Sequence, residues 1–310
     1  MRYVEWDPVD LLPPTWLSPR ISSPFRVFNP AILAHGDGFL LAYRAVLADG
    51  IRRIGLCRLD AQFRVLPGSP VPWSDHVPSS PPRPLWFADP RLYSWSGRLY
   101  LYWNTGWGDD ENAQYLQELN PQTLLPAAPP RPLTRAAPRQ RIEKNWMLFG
   151  PSPAQAIYFP RPLRLLRFAW PDTVLHPAGE FAWDDAGYEA TYGPLRGGAP
   201  PAPDSDGFWC VTHSVAFAPD GFRYWPALLR FRSDGRVTHR PNGPLPLPNP
   251  YRCRRRLPRL NPYAGQVLYP SGLARSGPDW AISYGINDER CALAVLTAPE
   301  LAAAVERIPS

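Results

Sequence analysis

The chain has 310 residues, of which 45% are apolar, and a formal net charge of +6. That much apolar material excludes a chain too polar to fold and suffices for one sizeable core. No run of about 18 apolar residues occurs, so no membrane-spanning helix is expected, and no basic stripe on a recognisable module marks a nucleic acid partner. The opening MRYVEWDPVDLLPP carries acidic residues and no apolar signal core, so the expected location is the cytoplasm with reduced thiols. The cysteines, Cys57, Cys210, Cys253 and Cys291, form no CxxC pair, and no metal is expected.

The 43 prolines are scattered along the whole length and forbid long helices, favouring short strands and many loops. There are 13 Trp, 14 Tyr and 13 Phe. Such rings suit strands and cores, and they also suit clefts in which a flat ring covers a sugar face. Of the 33 basic residues one is a lysine, Lys144, and the rest are arginines.

Taken in chain order, one pattern recurs five times: a polar or Pro/Gly motif, an apolar run, a turn, then an aromatic-rich strand. It appears as FNPAIL–HGDG–FLLAYRA (28–45), FADPRLY–SWSG–RLYLYWNTG (87–106) and EKNWMLF–GPSPA–QAIYFPRP (143–162). It returns as RGGAPPAP–DSDG–FWCVTHS (196–214) and QVLYPSGLA–RSGPD–WAISYGIND (266–288). The turn residues supply the φ values a hairpin needs, and the strands alternate as half-buried β. Each copy is followed by a third strand: RIGLCRLDAQF, AQYLQELNPQT, LRLLRFAWPDT, YWPALLRFRSDG and CALAVLTAPEL. Spacings of roughly 50 to 70 residues match one propeller blade. The expectation is therefore an all-β, five-bladed β-propeller forming one domain over 1–310, with PELAAAVERI as a short terminal helix.

In a propeller the innermost strand of each blade lines the axis. The opening motifs would then place Asn29, Asp89, Glu143, Lys144, Asn145, Arg196 and the region of Tyr269 around one cavity. The ends of the second strands add Arg44, Asn104, His213, Tyr284, Asn287 and Asp288. Polar groups at blade starts can also just satisfy buried backbone; five in register, each with charge or amide, favour a ligand site. Trp86, Trp103, Trp107 and Trp146 flank these motifs as candidate sugar platforms. The cluster Arg252, Arg254, Arg255, Arg256 and Arg259 reads as a solvated loop or a lip for an anionic substrate or a membrane surface. His35, His76, His176 and His239 show no metal spacing, no phosphate-cradling glycine loop is present, and neither Ser152 nor Ser271 sits in a nucleophile elbow.

In order along the chain, FNPAIL…LLAYRA, FADPR, RGGAPPAP…FWCVTHS and YPSGL…AISYGIND resemble glycoside hydrolase family 130, the β-mannoside phosphorylases and mannosidases, and related mannosyltransferases. The resemblance implies a five-bladed propeller with inverting chemistry on a β-linked sugar, often mannose. The family's EDPR aspartate, a proton donor, matches Asp89, with Ala88 in place of the preceding glutamate. The family lysine matches Lys144, its YHG histidine matches His213 in THS, and its blade-one arginine matches Arg44. Arg91 and Arg196 belong to motifs of the same rim.

Phosphate brings nearly two negative charges and asks for such a set: arginine as a fork, lysine as a point charge, histidine as a donor. The resemblance thus implies Asp89 as acid and Arg44, Lys144 and His213 as cradle, with inorganic phosphate or a sugar phosphate as co-substrate and no other cofactor. Expected substrates are oligosaccharides or glycoconjugates. An inverting hydrolase, with Glu143 or Asp288 as base for water, and a non-catalytic sugar-binding propeller are the competing readings. The oligomeric state has no signature in the sequence.

Overall fold

The structure is a computed structural model that describes residues 1–17, 24–77, 86–106, 111–150, 155–251 and 257–309. The turn GPSPA, Trp107, Ser152, Cys253 and Arg252 to Arg256 lie wholly or partly outside the described residues.

The protein is mostly β. After β1 (Arg2–Glu5) and the short helix α1 (Pro8–Leu11), the chain runs through five successive antiparallel units. The first is β2 (Arg26–His35), β3 (Gly38–Val46) and β4 (Arg52–Leu59). The second is β5 (Phe87–Trp95), β6 (Arg98–Thr105), β7 (Gln114–Leu119) and β8 (Arg131–Arg135). The third is β9 (Met147–Phe149), β10 (Gln155–Phe159), β11 (Leu163–Arg167) and β12 (Val174–Phe181); β12 pairs in parallel with β8, joining the outer edges of these two units.

Helix α2 (Tyr188–Tyr192) precedes the fourth unit. There the inner strand is split into β13 (Leu195–Arg196) and β14 (Ala202–Asp204), both paired to β15 (Gly207–Ala218), which pairs with β16 (Gly221–Phe231) and onward to β17 (Val237–Pro241). The split follows from Gly197–Gly198 and the prolines after them. A Cβ on Gly198 would sit 2.3 Å from the Val211 carbonyl oxygen, so only glycine lets the chain pass there. β18 (Ala264–Gln266) flanks β16. The fifth unit is β19 (Leu268–Ser276), β20 (Asp279–Ile286) and β21 (Arg290–Leu296).

The two chain ends cross over to neighbouring units. β1 pairs with β21, so the N-terminus supplies the outer strand of the last unit. At the other end the tail is only half helical. A Thr297–Glu300 capping box starts α3 (Ala298–Ala303), and Val305–Arg307 then forms β22 against β17. The β-branched valine and the open edge of β17 outweigh helix propensity there.

Five buried clusters separate the units, one for each neighbouring pair. Leu40, Leu56, Phe87 and Trp103 lie between the first and second units; Tyr102, Trp146 and Leu148 between the second and third; Phe149, Ile157, Leu229 and Phe231 between the third and fourth; Val211, Leu228 and Ile282 between the fourth and fifth. Leu41, Tyr43, Ala281 and Leu293 share a cluster between the last unit and the first. Strands expected to be half-buried are instead covered on both faces. In β6, Leu99, Leu101 and Trp103 enter one cluster while Tyr100 and Tyr102 enter the next.

Candidate active site

β2 packs against both β5 and β19. In β2 and β5 the regular ladder breaks at the dipeptides Asn29-Pro30 and Asp89-Pro90: the register shifts between Phe28 and Ala31 and between Ala88 and Arg91. Asn29 and Asp89 take the left-handed backbone, with φ of 52° and 50°. Asn and Asp tolerate that conformation best among residues with a Cβ, and a bulge re-aims its side chain. Each such residue stores strain of roughly 1–3 kcal/mol. The two side chains meet, Asn29 Nδ2 donating to Asp89 Oδ1 at 2.9 Å.

Asp89 lines a cavity of about 400 Å³ with Asn29, Arg44, Arg52, Trp86, Lys144, Tyr224, Tyr263, Tyr269 and Asp288 on its wall. Arg44 Nη1 stands 3.7 Å from Asp89 Oδ1. Burial acts to raise the Asp89 pKa, but Arg44, Lys144, Arg91 and the Asn29 hydrogen bond outweigh it and hold the carboxyl below its ordinary range. Burial lowers the pKa of Arg44, which Asp89 and Asp288 partly restore, and burial likewise lowers that of Lys144. On this wall Arg44, Arg52 and Lys144 face the two carboxylates Asp89 and Asp288, so positive charge is in excess.

Lys144 also lines a second cavity of about 550 Å³, with Glu143, Asn145, Tyr158, Arg161 and Arg196. Sequence reasoning placed Glu143 on the axis with Asp89; the structure places it in this neighbouring cavity. It accepts from Tyr158 OH at 2.8 Å and the Gln140 N–H at 2.9 Å, with Arg135 at 3.8 Å. A third groove, of about 620 Å³ around Trp6, Phe63 and Leu66, contains none of the candidate residues.

Several candidates stand behind the wall. Arg91 is fully buried. Its guanidinium donates to the Gly198 carbonyl at 2.6 Å, the Asp89 and Pro90 carbonyls at 3.2 and 2.8 Å, and Tyr269 OH at 2.7 Å. Tyr269 OH in turn donates to Asn145 Oδ1 at 2.6 Å. Arg91 is thus a pillar that fixes the Asp89 bulge. Asn104 is also fully buried and reaches the Ala88 carbonyl at 3.3 Å.

Tyr284 lies in the core between the fourth and fifth units, its hydroxyl donating to the Pro248 carbonyl at 2.8 Å, away from the cavity. Asn287 Oδ1 accepts from the Val267 N–H at 3.1 Å, shaping the turn that presents Asp288. Ser271 supports the first bulge, donating to the Pro30 carbonyl at 2.9 Å.

His213 is 1% exposed and sits behind Tyr224 and Tyr269, its ring 5.5 Å from the first and 4.9 Å from the second. Burial, then Arg196, Lys144 and Arg91, push its pKa down to about 3 against the pull of Asp89, so it is neutral. Its Nδ1 has no hydrogen-bond partner among the described residues.

Among the tryptophans, Trp86 reaches the cavity, but Arg52 lies 3.4 Å from its ring centre. Its seat also needs Gly106, where a Cβ would lie 1.8 Å from the ring. Trp103 is buried against Tyr115, and Trp146 is buried beside the second cavity. Arg52, Tyr224 and Tyr263 were not singled out from sequence. Arg52 follows a turn outside the repeated motif, and Tyr263 lies in the turn before β18, so no pattern marked them.

No known protein-family profile matches the chain, and no curated protein matches it. Solved structures do. A β-1,2-mannobiose phosphorylase from Listeria innocua is 14% identical with a TM-score of 0.64, covering 98% of this chain and 99% of that one. A structure reported for the GH130 family of mannoside phosphorylases, containing hydrolases that target β-1,2 mannosidic linkages in Candida mannan, is 13% identical (88% and 85% covered, TM-score 0.58). A GDP-Man-dependent mannosyltransferase from Leishmania mexicana is 11% identical (89% and 86% covered, TM-score 0.56). In fold, and over nearly its whole length, the chain is similar to the GH130 mannoside phosphorylases and hydrolases.

Proposed function

We propose that the chain is a five-bladed β-propeller enzyme that cleaves or forms a β-mannoside with inversion, using phosphate or a sugar phosphate as partner. Five antiparallel units with a core between every neighbouring pair, the last and first included, support the propeller reading. The observation that carries the function is Asp89: a buried carboxylate on a strained bulge, at the wall of a cavity rich in arginine and lysine.

In the cleavage direction the Asp89 proton goes to the leaving glycosidic oxygen, directly or through a sugar hydroxyl. The bond from the anomeric carbon to that oxygen breaks, and a phosphate oxygen held by Arg44 and Lys144 bonds to the carbon from the opposite face. Without phosphate, Asp89 is held ionised by the same cations. An anion bound between Arg44 and Lys144 cancels their pull, and burial then raises the Asp89 pKa towards that of a working acid. The co-substrate thereby arms the acid. His213 backs Tyr224 and Tyr269 as a neutral group. A hydrolytic reading rests on Asp288, which lines the same cavity as Asp89, rather than on Glu143, which is held in the next one.

Incubation with a panel of β-mannosides, with and without inorganic phosphate, tests the proposal. Phosphate-dependent release of sugar 1-phosphate supports it. Release of free sugar regardless of phosphate moves the assignment to hydrolysis.

A further inference from the structure

β15 and β16 are the longest strands among the described residues, at 12 and 11 residues, and their hairpin outruns β13, β14 and β17, with β18 edging β16 at Phe222 and Arg223. β17 pairs with β16 only at Arg230 and Phe231, and β13 pairs with β15 only at His213 and Ser214. Beyond them, pairing continues from Val215↔Tyr224 through Phe217↔Phe222 to the turn. Side chains two apart on a strand, and those directly opposite, share a face. One face therefore carries His213, Val215 and Phe217 on β15 with Phe222, Tyr224 and Pro226 on β16.

This face begins inside the site. Tyr224 lines the Asp89 cavity, and His213 stacks on it at 5.5 Å with the rings 13° apart. It ends in the open, where Phe217 is 77% exposed and Phe222 37%, their rings 5.6 Å apart edge to face. Tyr263, 70% exposed, borders it from the cavity rim; its carbonyl accepts from the Phe222 N–H at 2.7 Å. At about 3.3 Å per residue, the ribbon runs roughly 13 Å from His213 to Phe217. Val215 between them is buried, so the accessible apolar part is the Phe217–Phe222 pair beside Tyr263, and the two phenyl rings offer no hydrogen bond to a sugar hydroxyl. An exposed apolar pair bonded through Tyr263 to the rim of a polar reaction cavity suits a ligand with a sugar head and a hydrocarbon tail.

We infer that the Phe217–Phe222 ribbon is an aglycone site, so that the preferred substrate carries an alkyl or aryl group on the glycosidic oxygen rather than further sugars. This rests on the reading of the Asp89 cavity as a glycoside site.

Titration calorimetry with methyl and octyl β-mannosides, and with methyl and octyl β-glucosides, below their micellar concentrations, reads the ribbon through binding, independently of turnover. Octyl should bind at least tenfold more tightly than methyl, since each buried methylene contributes up to about fourfold. The double variant Phe217→Ser/Phe222→Ser should cut that ratio to threefold or less, while Leu66→Ser, an exposed apolar residue elsewhere, should keep it. Both changes are at exposed positions, and a matched circular dichroism spectrum and melting point establish that the variants are folded.

An octyl-to-methyl ratio near one in the wild type overturns the inference. So does a ratio that the double variant leaves unchanged. Binding of the wild type to anionic vesicles, lost in the double variant with no chain-length effect on glycoside affinity, overturns it in favour of a membrane-docking edge. A dimer that the double variant dissociates, again with no chain-length effect, overturns it in favour of a contact between copies. If no mannoside is turned over but the octyl advantage holds and depends on the ribbon, the reaction assignment fails and the aglycone site stands.

Discussion

His213 makes stability depend on pH in a calculable way. The imidazole is 1% exposed with its pKa pushed down to about 3, against about 6.5 in an unfolded chain. The unfolded chain therefore binds the extra proton, so stability is full above about pH 6.5 and falls as pH drops towards 3. At pH 5 the folded imidazole is still unprotonated while the unfolded one is almost fully charged. Integration between pH 7 and pH 5 gives a loss of about 2 kcal/mol from this one residue. Urea unfolding at pH 7, 6 and 5 should show this slope, and His213→Gln should remove about 2 kcal/mol of it. His35 and His239 are also lowered, each by burial first, and act alike in both proteins, so they cancel in the difference. Equal slopes in wild type and His213→Gln would refute the picture of a neutral histidine sealed behind Tyr224 and Tyr269.

Other outcomes follow from the same geometry. Arg91→Ala strips donors from the Gly198, Asp89 and Pro90 carbonyls and from Tyr269; urea unfolding should register a loss of about 3–5 kcal/mol, as for a broken buried charged network. Lys144→Ala should raise the KM for phosphate more than the KM for sugar, and equal rises in steady-state kinetics would count against a phosphate contact. Phosphate binding should lift the Asp89 pKa, so calorimetry in buffers of different ionisation enthalpy should show more proton uptake in wild type than in Asp89→Asn.

Much of this architecture is legible in the sequence because each unit carries its own punctuation. The turns HGDG, SWSG and DSDG close hairpins at Gly38, Arg98 and Gly207, and the third strands fall where they were expected. The third and fourth units blur because Lys144–Trp146 and Gly197–Pro201 are left out of the ladders. Both stretches trade pairing for position: Lys144 reaches two cavities, and the Gly198 carbonyl holds Arg91.

In the site, Asn29 and Asp89 were legible because each sits in the polar motif that opens its unit, FNPAIL and FADPR, and the second also resembles the EDPR of family 130; their left-handed backbone was not. What sequence could not separate was wall from scaffold. Arg44 and Arg91 look alike as letters. Yet Arg44 lines the cavity, while every donor nitrogen of Arg91 is bonded to the protein's own carbonyls or Tyr269. That difference arises only when inner strands from distant parts of the chain meet. Tyr284 was misplaced for a related reason: opposite Pro270, beside the bulge in β19, its side chain turns into the core between units.

The most direct test is a ³¹P NMR time course of wild type and Asp89→Asn with a β-mannoside and inorganic phosphate. The account predicts that phosphate is consumed and α-mannose 1-phosphate appears with wild type, and that Asp89→Asn is slower by about 10²- to 10⁴-fold. Formation of the β-anomer, or full activity in Asp89→Asn, would contradict it.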